Sequence, residues 1–140
     1  MFCISFTNYD RYGEDGWDVI LQCAESLGLL WMVDNFDADI ELDSKHAVYT
    51  LDEIESLFRN NSVIFARLAG YHVLSETLDL RSNLEKGICQ CAVFCTDQSC
   101  FEIYSADTAI IALFVERLRQ SGITKFAVEQ SIARTSFELT

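Results

Sequence analysis

The chain has 140 residues, half of them hydrophobic, with 22 acidic against 10 basic side chains and a formal net charge of −12. At this length folding buries about two-thirds of the extended chain's surface, enough for a core without disulfides or metal. The charge argues against DNA, RNA or an anionic membrane as partner, because each would repel the average surface.

Met1–Thr7 alternates, with Phe2, Ile4 and Phe6 on one side and Cys3 and Ser5 on the other, which predicts a first strand. Asn8–Gly16 is polar and turn-forming, and Asp15-Gly16-Trp17-Asp18 opens a helix with acids placed favourably for its dipole. Trp17, Ile20, Leu21, Ala24 and Leu27 recur at helical spacing, and Gly28 supplies a stop. Leu29–Val33 reads as a short buried strand, followed by a turn at Asp34-Asn35-Phe36 and a second strand over Asp37–Asp43, which Ala47–Tyr49 extends or pairs. Thr50-Leu51-Asp52-Glu53 has the form of a capping box and predicts a short helix to about Phe58. Ser62–Leu68, β-branched and aromatic, reads as a strand. Residues 70–87 hold neither period and read as a long connection that includes one turn of helix. Ile88–Thr96 and Cys100–Ser105 form a predicted hairpin, Asp107–Gln120 the clearest helix, and Thr124–Gln130 and Arg134–Leu139 the last strands. Hairpins outnumber helical crossovers. The expected fold is therefore a single α+β domain over 1–140, a mostly antiparallel sheet with about three helices packed on it.

No run of about 18 apolar residues offers a membrane span. Met1–Thr7 lacks the basic opening of a signal peptide, so the expected compartment is the cytoplasm. The six cysteines at 3, 23, 89, 91, 95 and 100 then read as free thiols, with a redox-dependent Cys95–Cys100 contact across the hairpin as the alternative. Zinc is disfavoured: on one strand at ~3.3 Å per residue, Cys89 and Cys95 stand too far apart to share an ion.

Sequence motifs for chemistry are sparse. There is no glycine-rich phosphate loop, no HExxH and no Gly-x-Ser-x-Gly elbow, and His46 and His72 stand alone. A calcium loop starting at Asp37 fails at its sixth and twelfth positions, where Leu42 and Val48 replace the required glycine and glutamate. Neither a catalytic residue nor a cofactor or metal is assigned.

Charge is the informative feature. Residues 1–70 carry 13 acids and 4 bases (net −9), while residues 71–140 carry 9 acids and 6 bases (net −3). Between 34 and 55, Asp34, Asp37, Asp39, Glu41, Asp43, Asp52, Glu53 and Glu55 face Lys45 alone. An extended 37–43 segment would project Asp37, Asp39, Glu41 and Asp43 from one side as a ladder. Its self-repulsion, on the order of 1–2 kcal/mol in water, is tolerable in a folded domain. A second acidic group, Asp10, Glu14, Asp15 and Asp18, accompanies Tyr9 and Tyr12. One reading is a solvated edge strand whose charges discourage aggregation. The other is a docking surface for a strongly basic protein, with Asp34, Asp37, Asp39, Glu41, Asp43, Asp10, Glu14, Asp15 and Tyr12 as the candidate contacts.

In size, charge and character the whole chain resembles the immunity proteins of contact-dependent inhibition and related bacterial polymorphic toxin systems. Val63-Ile64-Phe65-Ala66-Arg67-Leu68, Phe101-Glu102-Ile103-Tyr104 and Ala133-Arg134-Thr135 are also similar to a small uncharacterised bacterial family that carries no known activity. The first resemblance implies a non-enzymatic inhibitor whose partner is a cognate basic toxin domain, commonly a nuclease, with its active site covered. The alternatives are a small enzyme with a carboxylate- or thiol-based site, and an adaptor or chaperone domain for a basic protein.

Overall fold

The computed structural model describes residues 1–8, 14–42, 47–75 and 79–130, with only the backbone of Glu14 and Asp15. In chain order the elements are β1 (Phe2–Thr7), α1 (Glu14–Leu27), β2 (Leu30–Ala38), β3 (Val48–Tyr49), α2 (Leu51–Asn60), β4 (Val63–Tyr71), α3 (Leu80–Glu85), β5 (Cys89–Thr96), β6 (Cys100–Ser105), α4 (Thr108–Gln120) and β7 (Phe126–Gln130). The seven strands form one antiparallel sheet in the order β3-β2-β4-β5-β6-β1-β7.

The two faces of this sheet are covered unequally. On one side, strand residues Ile4, Val33, Leu68, Val93 and Ile103 pack with Trp17, Ile20 and Cys23 of α1, Ile54 and Phe58 of α2, and Phe114 and Leu118 of α4. On the other, Leu80 and Leu84 of α3 cover Cys3, Met32, Ala69, Tyr71, Cys89, Ala92, Phe94 and Tyr104. The alternation of each central strand therefore sends apolar side chains both ways, as a sheet sandwiched between helices requires. The α+β class is as expected, with four helices among the described residues where about three were expected.

The capping box is formed. Thr50 Oγ1 accepts from the Glu53 amide at 3.1 Å, and Glu53 Oε1 accepts from the Thr50 amide at 3.0 Å, which starts α2 at Leu51. Three other expectations need correction. Among the described residues the turn at 34–36 and a separate strand from 37 are absent: β2 runs unbroken from Leu30 to Ala38 and absorbs Asp34 as a bulge between Val33, opposite Leu68, and Asn35, opposite Arg67. The 70–87 connection is shorter than expected because β4 runs on to Tyr71, and its expected helical turn is the six-residue α3, capped by Asp79, whose side chain accepts from the Ser82 amide at 3.0 Å. Cys95 and Cys100 do not face each other across the hairpin. Cys95 is opposite Phe101 and Cys100 opposite Thr96, so the two thiols lie on opposite faces of the sheet. The strand expected over 134–139 lies outside the described residues.

Candidate functional site

The ladder of carboxylates dissolves because its strand ends at Ala38. Asp34 is committed to a buried ion pair with Arg67, each side chain 8% exposed. Asp37 is exposed but lies between Phe36 and Ala38, which pack on the α1/α2/α4 side, so its side chain leaves from the opposite face. Asp39 is exposed and fastened to Ser62, whose amide donates to Asp39 Oδ1 at 3.1 Å. Glu41 is exposed beyond the strand. Glu14 and Asp15 occupy the first turn of α1, with side chains outside the described residues, as are Asp10, Tyr12 and Asp43 altogether.

What the fold does bring together is Asp18 of the second acidic group, Glu25, and the far end of the first group. α1 and α2 lie side by side on the sheet, and the cleft between them is lined by Asp18, Leu21, Gln22 and Glu25 of α1 and by Thr50, Leu51, Asp52 and Glu55 around the start of α2. Its volume is about 460 Å³. Four carboxylates thus rim one cleft, and helical spacing explains why: Asp18 and Glu25 are seven residues apart, Asp52 and Glu55 three, so each pair shares a helix face. The apolar stripe beside them is consumed by the core, which fixes the acidic stripes at the seam where the helices meet solvent.

At its far end the cleft deepens into a cavity of about 270 Å³, lined by Trp17, Asp18, Leu21, Glu55, Phe58, Arg59 and Gln98. The Trp17 and Phe58 rings form its aromatic floor, centroids 3.9 Å apart. Arg59 is the one base among the described residues of the lining. Its Nε donates to Glu55 Oε1 at 2.8 Å, and its Nη2 lies 3.9 Å from Asp18 Oδ1, tying the two helices together. The third wall is the β5–β6 turn, where Asp97 and Gln98 both take positive φ, 53° and 58°. That backbone suits a tight hairpin but disfavours glutamine. Gln98 Nε2 offsets the cost by donating to the carbonyls of Phe58 at 3.4 Å and Asn61 at 3.1 Å, fastening the turn to the end of α2.

Trp17 is only 9% exposed, and its Nε1 has no acceptor among the described residues.

Elsewhere the chemistry is muted. Burial pushes the Cys89 and Cys95 thiols up to about 12, the Cys23 thiol to about 11 and the Cys91 thiol well above its ordinary range. Near neutral pH all four are protonated and poor nucleophiles. Among the described residues no group of three or more His, Cys, Asp or Glu side chains is placed to hold a metal ion. No helix of the described residues is long and apolar enough to cross a membrane.

Asp18, Asp52 and Glu55 were visible in the sequence as members of acidic groups. Glu25 and the floor residues Trp17 and Phe58 were not singled out as site residues. The signal that finds them is the helical phase of the charges, not their density. Comparison with family models, with curated proteins and with solved structures finds no match.

Proposed function

We propose that this protein is an immunity-type inhibitor, a binding protein of the cytoplasm that neutralises a cognate basic toxin domain, a nuclease, by covering its active site. The observation that supports the reading is the α1–α2 cleft. Asp18 and Glu25 come from α1, Asp52 and Glu55 from the start of α2, and they converge around a partly apolar floor. Carboxylates so arranged stand in for nucleic-acid phosphates against a cationic surface, while Trp17, Leu21 and Phe58 supply the buried apolar contact that charge alone does not. Asp39 and Glu41, exposed beyond the end of β2, extend the negative surface and steer approach without anchoring it.

The test is co-expression with the toxin domain encoded beside this chain's gene. The proposal expects a stable complex, restored growth, and an association rate that falls steeply between low and physiological salt. Growth arrest unrelieved by this protein would refute it.

A further inference from the structure

The two edges of the sheet are finished differently. At one end β3 is only two residues long, and the strand behind it, β2, carries the Asp34 bulge and the exposed Asp37. Short strands, bulges and charges of one sign keep an edge from pairing with another chain. At the other end β7 is the outermost strand among the described residues. Its register on β1 runs unbroken from Phe126, opposite Phe6, to Gln130, opposite Phe2, and the chain contains no proline to interrupt it. Ala127, Val128, Glu129 and Gln130 are all exposed. The local charge also departs from the rest of the molecule. Residues 108–130 carry three bases (Arg117, Arg119, Lys125) and two acids (Glu116, Glu129), a net of +1 in a chain of net −12.

We infer that β7 is the contact through which two copies of this chain pair edge to edge, antiparallel, about a two-fold at Ala127. In that register Lys125 stands opposite the second copy's Glu129 and Glu129 opposite its Lys125, with Cβ atoms about 5 Å apart. Phe126 stands opposite Val128 twice over, on the face that carries α1, α2 and α4, because these residues continue the rows of Phe6 and Ile4. Charge selects this arrangement from its neighbours. A parallel pairing in register would set Lys125 against Lys125 and Glu129 against Glu129, which repel. A two-fold at Val128 would set Glu129 against Ala127 and forfeit both ion pairs. Glu129 takes this cation beside any partner within its own chain, because a carboxylate has about four acceptor sites. The contact is small: five residues a side bury less than the roughly 1,000 Å² of a lasting interface, so the dimer is weak and exchanging. The α1–α2 cleft includes no residue of β7 in its lining, so the inference stands apart from the inhibitor reading.

Sedimentation equilibrium of the full chain reads its mass from about 10 µM to about 1 mM, at a salt concentration of about 0.15 M, which screens the net charge beyond about 8 Å. The inference expects the mass to rise from monomer toward dimer within that range. Lys125→Glu and Glu129→Lys each set like charges together at both pairs, and each should weaken pairing about five-fold or more. Mixed one to one, the two variants should pair with each other about as tightly as wild type, because every like pair becomes an opposite one. Lys125→Glu/Glu129→Lys, with the charges exchanged within one chain, should dimerise within about two-fold of wild type. A wild-type chain that stays monomeric throughout the range would overturn the inference and leave this edge to another occupant. Undiminished dimerisation by either single variant, or a mixture that pairs no better than its components, would overturn it as well.

Discussion

Arg67 of β4 reaches across the sheet to Asp34, the extra residue of the β2 bulge, and forms a buried ion pair. The Arg67 guanidinium carbon also lies 5.8 Å from the centre of the Phe94 ring. Without the bulge, the alternation of β2 would hold a different phase from Phe36 onward and turn that ring away from Phe58, with which it packs edge-on. The pair therefore sits where the strand's register is decided. Asp34→Ala, which strands a buried guanidinium, is expected to cost about 3–5 kcal/mol in urea unfolding. Adding Arg67→Met should recover most of that loss, since an apolar pair of similar bulk needs no counter-charge. A double mutant as unstable as the single one would show that the bulge, not the charge, is what the site requires.

α2 forms one wall of the acidic cleft, and its start depends on the reciprocal hydrogen bonds of Thr50 and Glu53. Thr50→Ala is expected to lower stability by about 1 kcal/mol, or about 4 °C in Tm. Glu53→Ala should cost less, because it removes only the bond to the Thr50 amide. Equal losses from both, measured by thermal unfolding, would contradict the assignment.

Gly70 in β4 stands opposite Trp31 of the neighbouring strand β2, and an added Cβ would stand 2.9 Å from both Leu29 Cδ1 and Trp31 Cη2. Gly70→Ala is expected to destabilise by about 1–3 kcal/mol through overpacking. Trimming the tryptophan with Trp31→Phe should cost less in the Gly70→Ala background than in wild type. Strict additivity of the two changes would mean that the crowding is relieved by backbone movement instead.

The raised thiols make a prediction about alkaline pH. An unfolded chain ionises Cys89 and Cys95 near 9, whereas burial holds them neutral in the fold up to about 12. The stability they contribute is complete below pH 9 and is lost as pH climbs from 9 toward 12, by about 1.4 kcal/mol per pH unit for each thiol. Urea midpoints at pH 8 and pH 10.5 should therefore diverge more for wild type than for Cys89→Ala or Cys95→Ala. Identical pH dependence in all three would contradict the burial account.

Much of this architecture is legible in the chain itself wherever one local rule dominates. The capping box at Thr50, the Cys100–Ser105 strand, the helix over Asp107–Gln120 and the buried Trp31 all follow from short-range patterns. The failures share a cause. Asp34-Asn35-Phe36 has turn composition, yet it is drawn into β2 by pairing with Arg67 and Ala66, a tertiary constraint that composition does not carry. α3 is only six residues long, too short for periodicity to register, and is held by what lies beneath it: Leu80 and Leu84 on the sheet, and Asn83 Nδ2 donating to the Tyr71 hydroxyl at 3.3 Å. The acidic surface was visible as a total, but its location depends on which helix faces meet, and that is decided by the packing of Trp17 on Phe58.

The central claim, that the α1–α2 cleft is the surface that meets a cationic protein, is tested most directly by comparing two charge reversals against the same toxin domain. Glu25→Lys/Asp52→Lys places lysines on both walls of the cleft, while Asp39→Lys/Glu41→Lys changes the same number of charges beyond the end of β2. All four side chains are exposed; with the Asp39 bond to the Ser62 amide and the place of Asp52 in the first turn of α2, each variant should lose no more than about 1–2 kcal/mol and stay folded. The account predicts that the cleft variant loses inhibition, with association slowed ten-fold or more at low salt, while the other variant still inhibits and is slowed less. Full inhibition by the cleft variant, with loss confined to Asp39→Lys/Glu41→Lys, would contradict it.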